Sequence, residues 1–287
     1  MTPDRATPAV HGRRPLTGLL RACHFQPTLA VVAVTTALAA LAGRGPAGCT
    51  AVAVAVLAGQ LSTGWSNDWF DAGRDRAVGR TDKPIVAGDV SVATVRAAAC
   101  TALVVAVPLS LLSGWRAAAV HLVAIGSAWA YNLGLKGTVI SPLPYAVSFG
   151  LLPAFVTLGL PGHPWPRPAV MLATALLGVG AHFVNTLADR EDDARSGIVG
   201  LPQRMSARGA LVTGVVLLAS CAVAIRLLGG GAGAAQSVLL VVTLGAAALV
   251  VGTTLRGRPR AAWSWTLVTV LGCLAMFAVA RPPLVAG

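Results

Sequence analysis

Apolar runs of roughly twenty residues recur along this chain, and nothing else about it narrows the possible folds as much. They are expected at 25–42, 48–67, 91–112, 117–136, 143–160, 168–188, 209–228, 234–255 and 261–280. Breakers such as Gly43-Arg44-Gly45-Pro46, Ser141-Pro142, Pro161-Gly162-His163-Pro164 and Gly229-Gly230-Gly231 separate most of them. A mean hydropathy of +0.74 with only 11% charged residues lies outside the soluble globular range. Backbone in lipid must satisfy its own hydrogen bonds, and the runs are long and rich in Ala, Val, Leu and Gly, so helices are expected rather than a barrel. The fold class is therefore an all-α integral membrane protein, a bundle of nine transmembrane helices. Residues 1–23 read as a basic N-terminal tail, disordered to about Pro15, and 24–287 as one membrane domain.

The formal net charge of +12 raises nucleic acid as a partner. No basic stripe or aromatic platform lies outside the spans, so the reading is no nucleic acid and a lipid bilayer instead. The basic residues sort as topology signals. With the N-terminus in the cytoplasm, 16 Lys and Arg fall inside and 5 outside. That bias predicts the cytoplasmic membrane, N-in, with an odd number of spans. The five cysteines are far apart and form no CxxC pair, which argues against a disulfide or thiolate-metal framework.

The acidic residues carry the chemistry. Of ten, five (Asp68, Asp71, Asp75, Asp82, Asp89) lie in one connection and four (Asp189, Glu191, Asp192, Asp193) in another; Asp4 stands alone. Both connections fall on the predicted cytoplasmic side, although their acids played no part in that assignment. Asp68, Asp71 and Asp75 stand at i, i+3 and i+7, and Asn185, Asp189 and Asp193 at i, i+4 and i+8, so each set should extend a span along one helix face. Two such faces at one mouth repel unless a cation neutralises them. Mg²⁺ takes oxygen ligands, commonly one or two carboxylates together with substrate phosphates. Arg74, Arg80, Lys83, Arg190, Arg195, Arg204 and Lys136 are interleaved with the acids and suit phosphate oxygens. A faint repeat, offset by 121 residues, lays Asp68 on Asp189 and Asp71 on Asp192, as if spans 1–4 and 5–8 were two similar halves.

Asn67-Asp68-x-x-Asp71-x-x-x-Asp75, followed by Gly79-Arg80-x-Asp82-Lys83-Pro84, resembles the first motif of the UbiA superfamily of membrane prenyltransferases. Asn185-x-x-x-Asp189-x-x-x-Asp193 is similar to the second, and Tyr131-Asn132-x-x-Leu135-Lys136 to a segment at the end of the fourth helix. The stretch Gly197-Ile198-Val199-Gly200-Leu201-Pro202 departs from the family in lacking basic residues, for which Arg195 or Arg204 would substitute. The resemblance implies a UbiA-like bundle with a central cavity and a Mg²⁺-dependent transfer of an isoprenyl group. The donor would be a prenyl diphosphate and the acceptor a small molecule, often an aromatic ring, attacked through an allylic carbocation. By the same resemblance Asp68, Asp71, Asp189 and Asp193 would be the catalytic metal ligands, with Asp75 completing the set. Asn67, Asn185, Arg80, Lys83, Lys136 and Arg204 would bind the diphosphate. A terpene cyclase of the same superfamily would carry the same motifs. A cation transporter is the alternative from another class, but its carboxylates would be expected near the bilayer midplane rather than at helix ends.

Overall fold

The computed structural model describes residues 15–229, 233–280 and 284–285. Every element of regular structure in them is helical. The expected disorder before Pro15 lies outside these residues. Within the expected tail, Pro15–Ala22 forms helix α1. The chain then bends by 61° into α2 (Phe25–Leu41). The bend turns on His24, whose φ of 52° is left-handed.

Next come α3 (Pro46–Ala77), α4 (Val92–Leu111) and α5 (Trp115–Leu133). A short 3₁₀ turn, Leu135–Gly137, holds Lys136. The fifth predicted run is split into α6 (Pro142–Gly150) and α7 (Leu152–Thr157). After α8 (Pro168–Ala188) the second acidic connection folds as α9 (Arg190–Ser196) and α10 (Leu201–Arg204). The chain finishes with α11 (Ala207–Leu228), α12 (Ala234–Leu255) and α13 (Pro259–Ala280).

All nine predicted runs fall on helix. Six helices of the described residues are long and apolar enough to cross a membrane, or seven if α1 and α2 count as one bent span. The remaining segments fail for identifiable reasons. Helix α5 carries Arg116, His121 and Asn132, and α6 with α7 is short and interrupted.

Helix α3 packs along both α2 and α4, and α4 leads to α5; α8 packs likewise along α6 and α11, and α11 along α12. The neighbour pattern thus repeats across the halves suggested by the 121-residue offset. Helix α13 lies against α12 and reaches α2, closing the bundle. The core is apolar and tight: Phe155, Val170, Leu218, Ile225 and Met276 are fully buried.

Small residues set the closest approaches. A Cβ on Gly64 would lie 2.5 Å from the Cys23 carbonyl oxygen, so α3 touches the backbone of the α1–α2 bend there. One residue on, the Trp65 indole donates to the Leu19 carbonyl at 2.9 Å. Gly64→Ala is therefore expected to push the bend away and destabilise the fold by about 1–3 kcal/mol, the usual cost of overpacking. Gly73→Ala, on the same helix with open space around it, should be neutral or slightly stabilising. Thermal unfolding of the two variants in detergent would compare them directly.

Candidate active site

Helix α3 continues ten residues, about three turns, past the expected apolar run to end at Ala77. It carries Asn67, Asp68, Asp71 and Asp75 without interruption, as their spacing predicts. The second acidic set differs. Helix α8 stops at Ala188 and a new helix starts at Arg190, so Asp189 sits at a break and not within one continuous helix. The Asp193 amide still donates to the Asp189 carbonyl at 2.8 Å. That single bridge preserves the i, i+4 relation across the break, and both carboxylates face the same space.

That space is a cavity of about 300 Å³. At its mouth stand Asn67, Asp71, Arg80, Lys83, Lys136, Asn185, Asp189 and Asp193. Both acidic connections meet there. Arg80 bridges them, 3.1 Å from Asp82 of its own connection, 3.4 Å from Asp189 and 3.3 Å from Asp192 of the other.

The carboxylates are paired with the chain's own cations. Lys136, only 6% exposed, is hydrogen-bonded to Asp71, which also takes Arg74. Asp68 lies behind the cavity wall, 2% exposed, and holds Lys83 at 2.7 Å and His24 at 3.2 Å. Asp75 is buried too and opens on a small side recess shared with Asp71, Arg74, Arg80, Asp192 and Asp193. Asp68 and Asp75 thus do not line the main cavity, although the motif groups them with Asp71. Among the described residues no three acidic, His or Cys side chains converge closely enough to hold a metal ion by themselves.

Two titrating groups record the balance of charge. Burial pushes the Asp193 carboxyl up to about 6, against a hydrogen bond from Gln203, and the nearby Asp189 and Asp71 charges add to the rise. Burial alone would depress the Lys83 ammonium, but Asp68 outweighs it and holds Lys83 above its ordinary value. Negative charge is thus crowded around Asp193 and balanced at Lys83.

Arg204 is not brought to the mouth; it is exposed and donates to the Val199 carbonyl. Arg190 is likewise structural, with its guanidinium bound to the carbonyls of Pro202, Gln203 and Met205. Arg195 pairs with Asp192 on the surface. Residues that spacing did not single out do line the cavity. Gln60 and Thr63 are among them; Asn132, from the motif that ends at Lys136, lines it too, with the aromatic rings of Tyr145 and Phe149 from α6. For Gln60 the available signal was a lone carboxamide inside an apolar run. Among the described residues at the mouth, Asn67 Oδ1 is buried and has no partner.

An all-helical bundle with long apolar spans and a charged cavity mouth defines an integral membrane protein. Residues 28–271 match the UbiA prenyltransferase family, and the chain belongs to it. In fold it is similar to an apo UbiA homologue from Aeropyrum pernix K1, with a TM-score of 0.74 at 19% identity over 88% of this chain and 98% of the other. A UbiA homologue from Archaeoglobus fulgidus bound to DMAPP and Mg²⁺ gives a TM-score of 0.64 at 14% identity, covering 91% and 99%. A digeranylgeranylglyceryl phosphate synthase gives 0.62 at 15% identity, covering 93% and 98%. No curated protein matches the chain in sequence.

Proposed function

We propose that the protein is a Mg²⁺-dependent prenyltransferase. It moves an isoprenyl group from a prenyl diphosphate to a small-molecule acceptor, an aromatic ring in our reading. The observation that carries this is the cavity mouth, where two acidic connections and three buried or half-buried cations face one another over an apolar space. The archaeal homologue bound to DMAPP and Mg²⁺ supports the choice of donor and metal. The orientation we favour places the N-terminus and the mouth on the cytoplasmic side, where a charged soluble diphosphate is met.

The residues present fit Mg²⁺. The donors are hard oxygens: the carboxylates of Asp71, Asp189 and Asp193, and the orphaned Asn67 amide oxygen. That they form no closed cage suits an ion that keeps its waters and arrives with phosphate oxygens of its own. We assign Asp71, Asp189 and Asp193 to hold it, with Asn67 and Asn185 beside them and Asp68 and Asp75 supporting from behind. When bound, Mg²⁺ supplies charge stabilisation to the leaving diphosphate.

The chain's own residues do the rest. Lys83, Lys136 and Arg80 turn from carboxylates to diphosphate oxygens and fix the donor head at the mouth. The C1–O bond of the donor breaks with its electron pair on the diphosphate. The acceptor's electron pair then forms the new bond to C1, and the acceptor loses a proton. Tyr131, Tyr145 and Phe149 line the cavity as one cluster of packed rings, beside which a developing allylic cation is attracted and water is excluded.

Binding tests the donor assignment. Affinity for geranyl diphosphate, measured by calorimetry on the protein in nanodiscs, is expected to fall about a hundredfold in EDTA and to return with Mg²⁺, since a bare diphosphate meets crowded carboxylates. Equal affinity with and without the metal would refute it.

A further inference from the structure

The cavity is not uniform, and its walls differ by helix. Helices α2 and α13 contribute Pro27, Val31 and Trp263, an apolar face. Helices α3 and α5 contribute Gln60, Thr63 and Asn132. Gln60, Thr63 and Asn67 are spaced i, i+3 and i+7, so one face of α3 turns polar groups into the cavity for two turns below the carboxylates. Gln60 lies eleven residues before Asp71, about 16 Å along the helix and well inside the span. An isoprenyl tail has no use for such a wall. A carboxamide in a membrane interior is costly and normally faces a ligand or water.

The hydrogen bonds of this wall have a direction. Thr63 donates its hydroxyl to the Gly59 carbonyl at 2.9 Å. Asn132 Nδ2 donates to the Thr63 carbonyl at 2.9 Å and to Ser66 at 2.8 Å. Ser148, across on α6, donates to the Ala124 carbonyl at 2.9 Å. What these groups leave for the cavity is acceptor oxygens. The Gln60 carboxamide has no partner among the described residues and presents both an acceptor and a donor. Among the described residues no lysine or arginine lines this depth: Arg80, Lys83 and Lys136 are at the mouth, each already on a carboxylate, and His24 is held by Asp68.

We propose that the α3–α5 wall is the acceptor subsite, read by Gln60, and that it takes an uncharged phenol rather than an aromatic carboxylate. The proposal rests on the prenyltransferase reading for the word acceptor, but not for the binding itself. A phenol offers hydroxyl protons to the oxygens of Thr63, Asn132 and Gln60. A carboxylate would find the Gln60 amide hydrogens but otherwise lone pairs, and no positive charge to balance its own in a low-dielectric space. The prenyl tail then occupies the opposite, apolar wall, which brings the two substrates face to face below the diphosphate.

Orcinol and orsellinate differ only by a carboxylate and serve as probes. Calorimetry on the full chain in nanodiscs, with and without geranyl S-thiolodiphosphate and Mg²⁺, is expected to show orcinol binding at least tenfold more tightly. Gln60→Leu, an apolar change in a membrane span, should weaken orcinol about tenfold, the scale of one lost hydrogen bond. It should leave the affinity for geranyl S-thiolodiphosphate within twofold. Thr63→Val should also weaken orcinol. Equal or tighter binding of orsellinate, absence of orcinol binding, or a Gln60→Leu protein with unchanged orcinol affinity overturns the proposal. Orcinol binding that depends on Gln60, in a protein that fails to bind the thiolodiphosphate with Mg²⁺, would keep this subsite and remove the prenyl donor reading.

Discussion

Asp71→Ala and Asp189→Ala are each expected to lower the rate of diphosphate release from a prenyl diphosphate by roughly 10²–10³, the cost of removing one preorganised electrostatic contact from a transition state. The two residues come from connections more than a hundred positions apart, yet both line one mouth, and Arg80 of the first connection pairs with Asp189 of the second. They should therefore act as a unit. The double variant is expected to lose far less than the product of the single losses. Glu191→Ala is the control. Glu191 belongs to the same acidic connection but is exposed and lies outside the cavity. It should cost little. Asp89 is a poorer control, because Arg21 of α1 binds it at 2.5 Å and its loss would loosen the bend. Multiplicative losses from Asp71 and Asp189, or a Glu191 variant as damaged as either, would contradict a shared site.

Lys136→Met should have the second largest effect, a loss of roughly 10² in kcat/KM. Lys136 is buried and bonded to Asp71 before any ligand arrives. Its removal has two consequences that can be separated. In the free protein it leaves Asp71 with Arg74 alone, and breaking a buried pair costs about 3–5 kcal/mol of stability at most, less here because Asp71 is partly exposed. Toward substrate it removes a cation from the diphosphate. Lys136→Met combined with Asp71→Asn should recover much of the thermal stability while activity stays lost. Full recovery of activity in the pair would mean that Lys136 serves only to neutralise Asp71. Lys136→Arg should not restore turnover, since a planar fork does not replace a compact ammonium in a site this enclosed.

Much of the architecture was legible because it follows from local pattern. Apolar runs of spanning length and Gly/Pro breakers placed the helices, and the i, i+3, i+7 spacing carried α3 through its acidic end as one helix. Long-range pairing was not legible. No spacing rule links Lys136 to Asp71, or tells that Asp68 faces Lys83 and His24 behind the wall while Asp71 faces the cavity. The break at Asp189 escaped as well, because i, i+4 spacing is kept across it by the Asp193 amide on the Asp189 carbonyl, so regular spacing alone does not record it. Arg204 looked suited to phosphate by type and position in sequence, yet the short α10 directs it to a loop carbonyl. Gln60 was hidden by its surroundings: one polar residue in a run of apolar ones barely changes the pattern, and its importance depends on which face α3 turns inward.

The central claim is that the charged mouth performs chemistry on a prenyl diphosphate. Incubation of the purified protein in nanodiscs with radiolabelled geranyl diphosphate and orcinol, analysed for diphosphate and for labelled products, tests it most directly. The account predicts release of diphosphate with Mg²⁺ and none in EDTA, together with a labelled product that carries the prenyl group on the phenol. An intact geranyl diphosphate after incubation of folded protein with Mg²⁺, across prenyl donors of several lengths and with acceptor present, would contradict it.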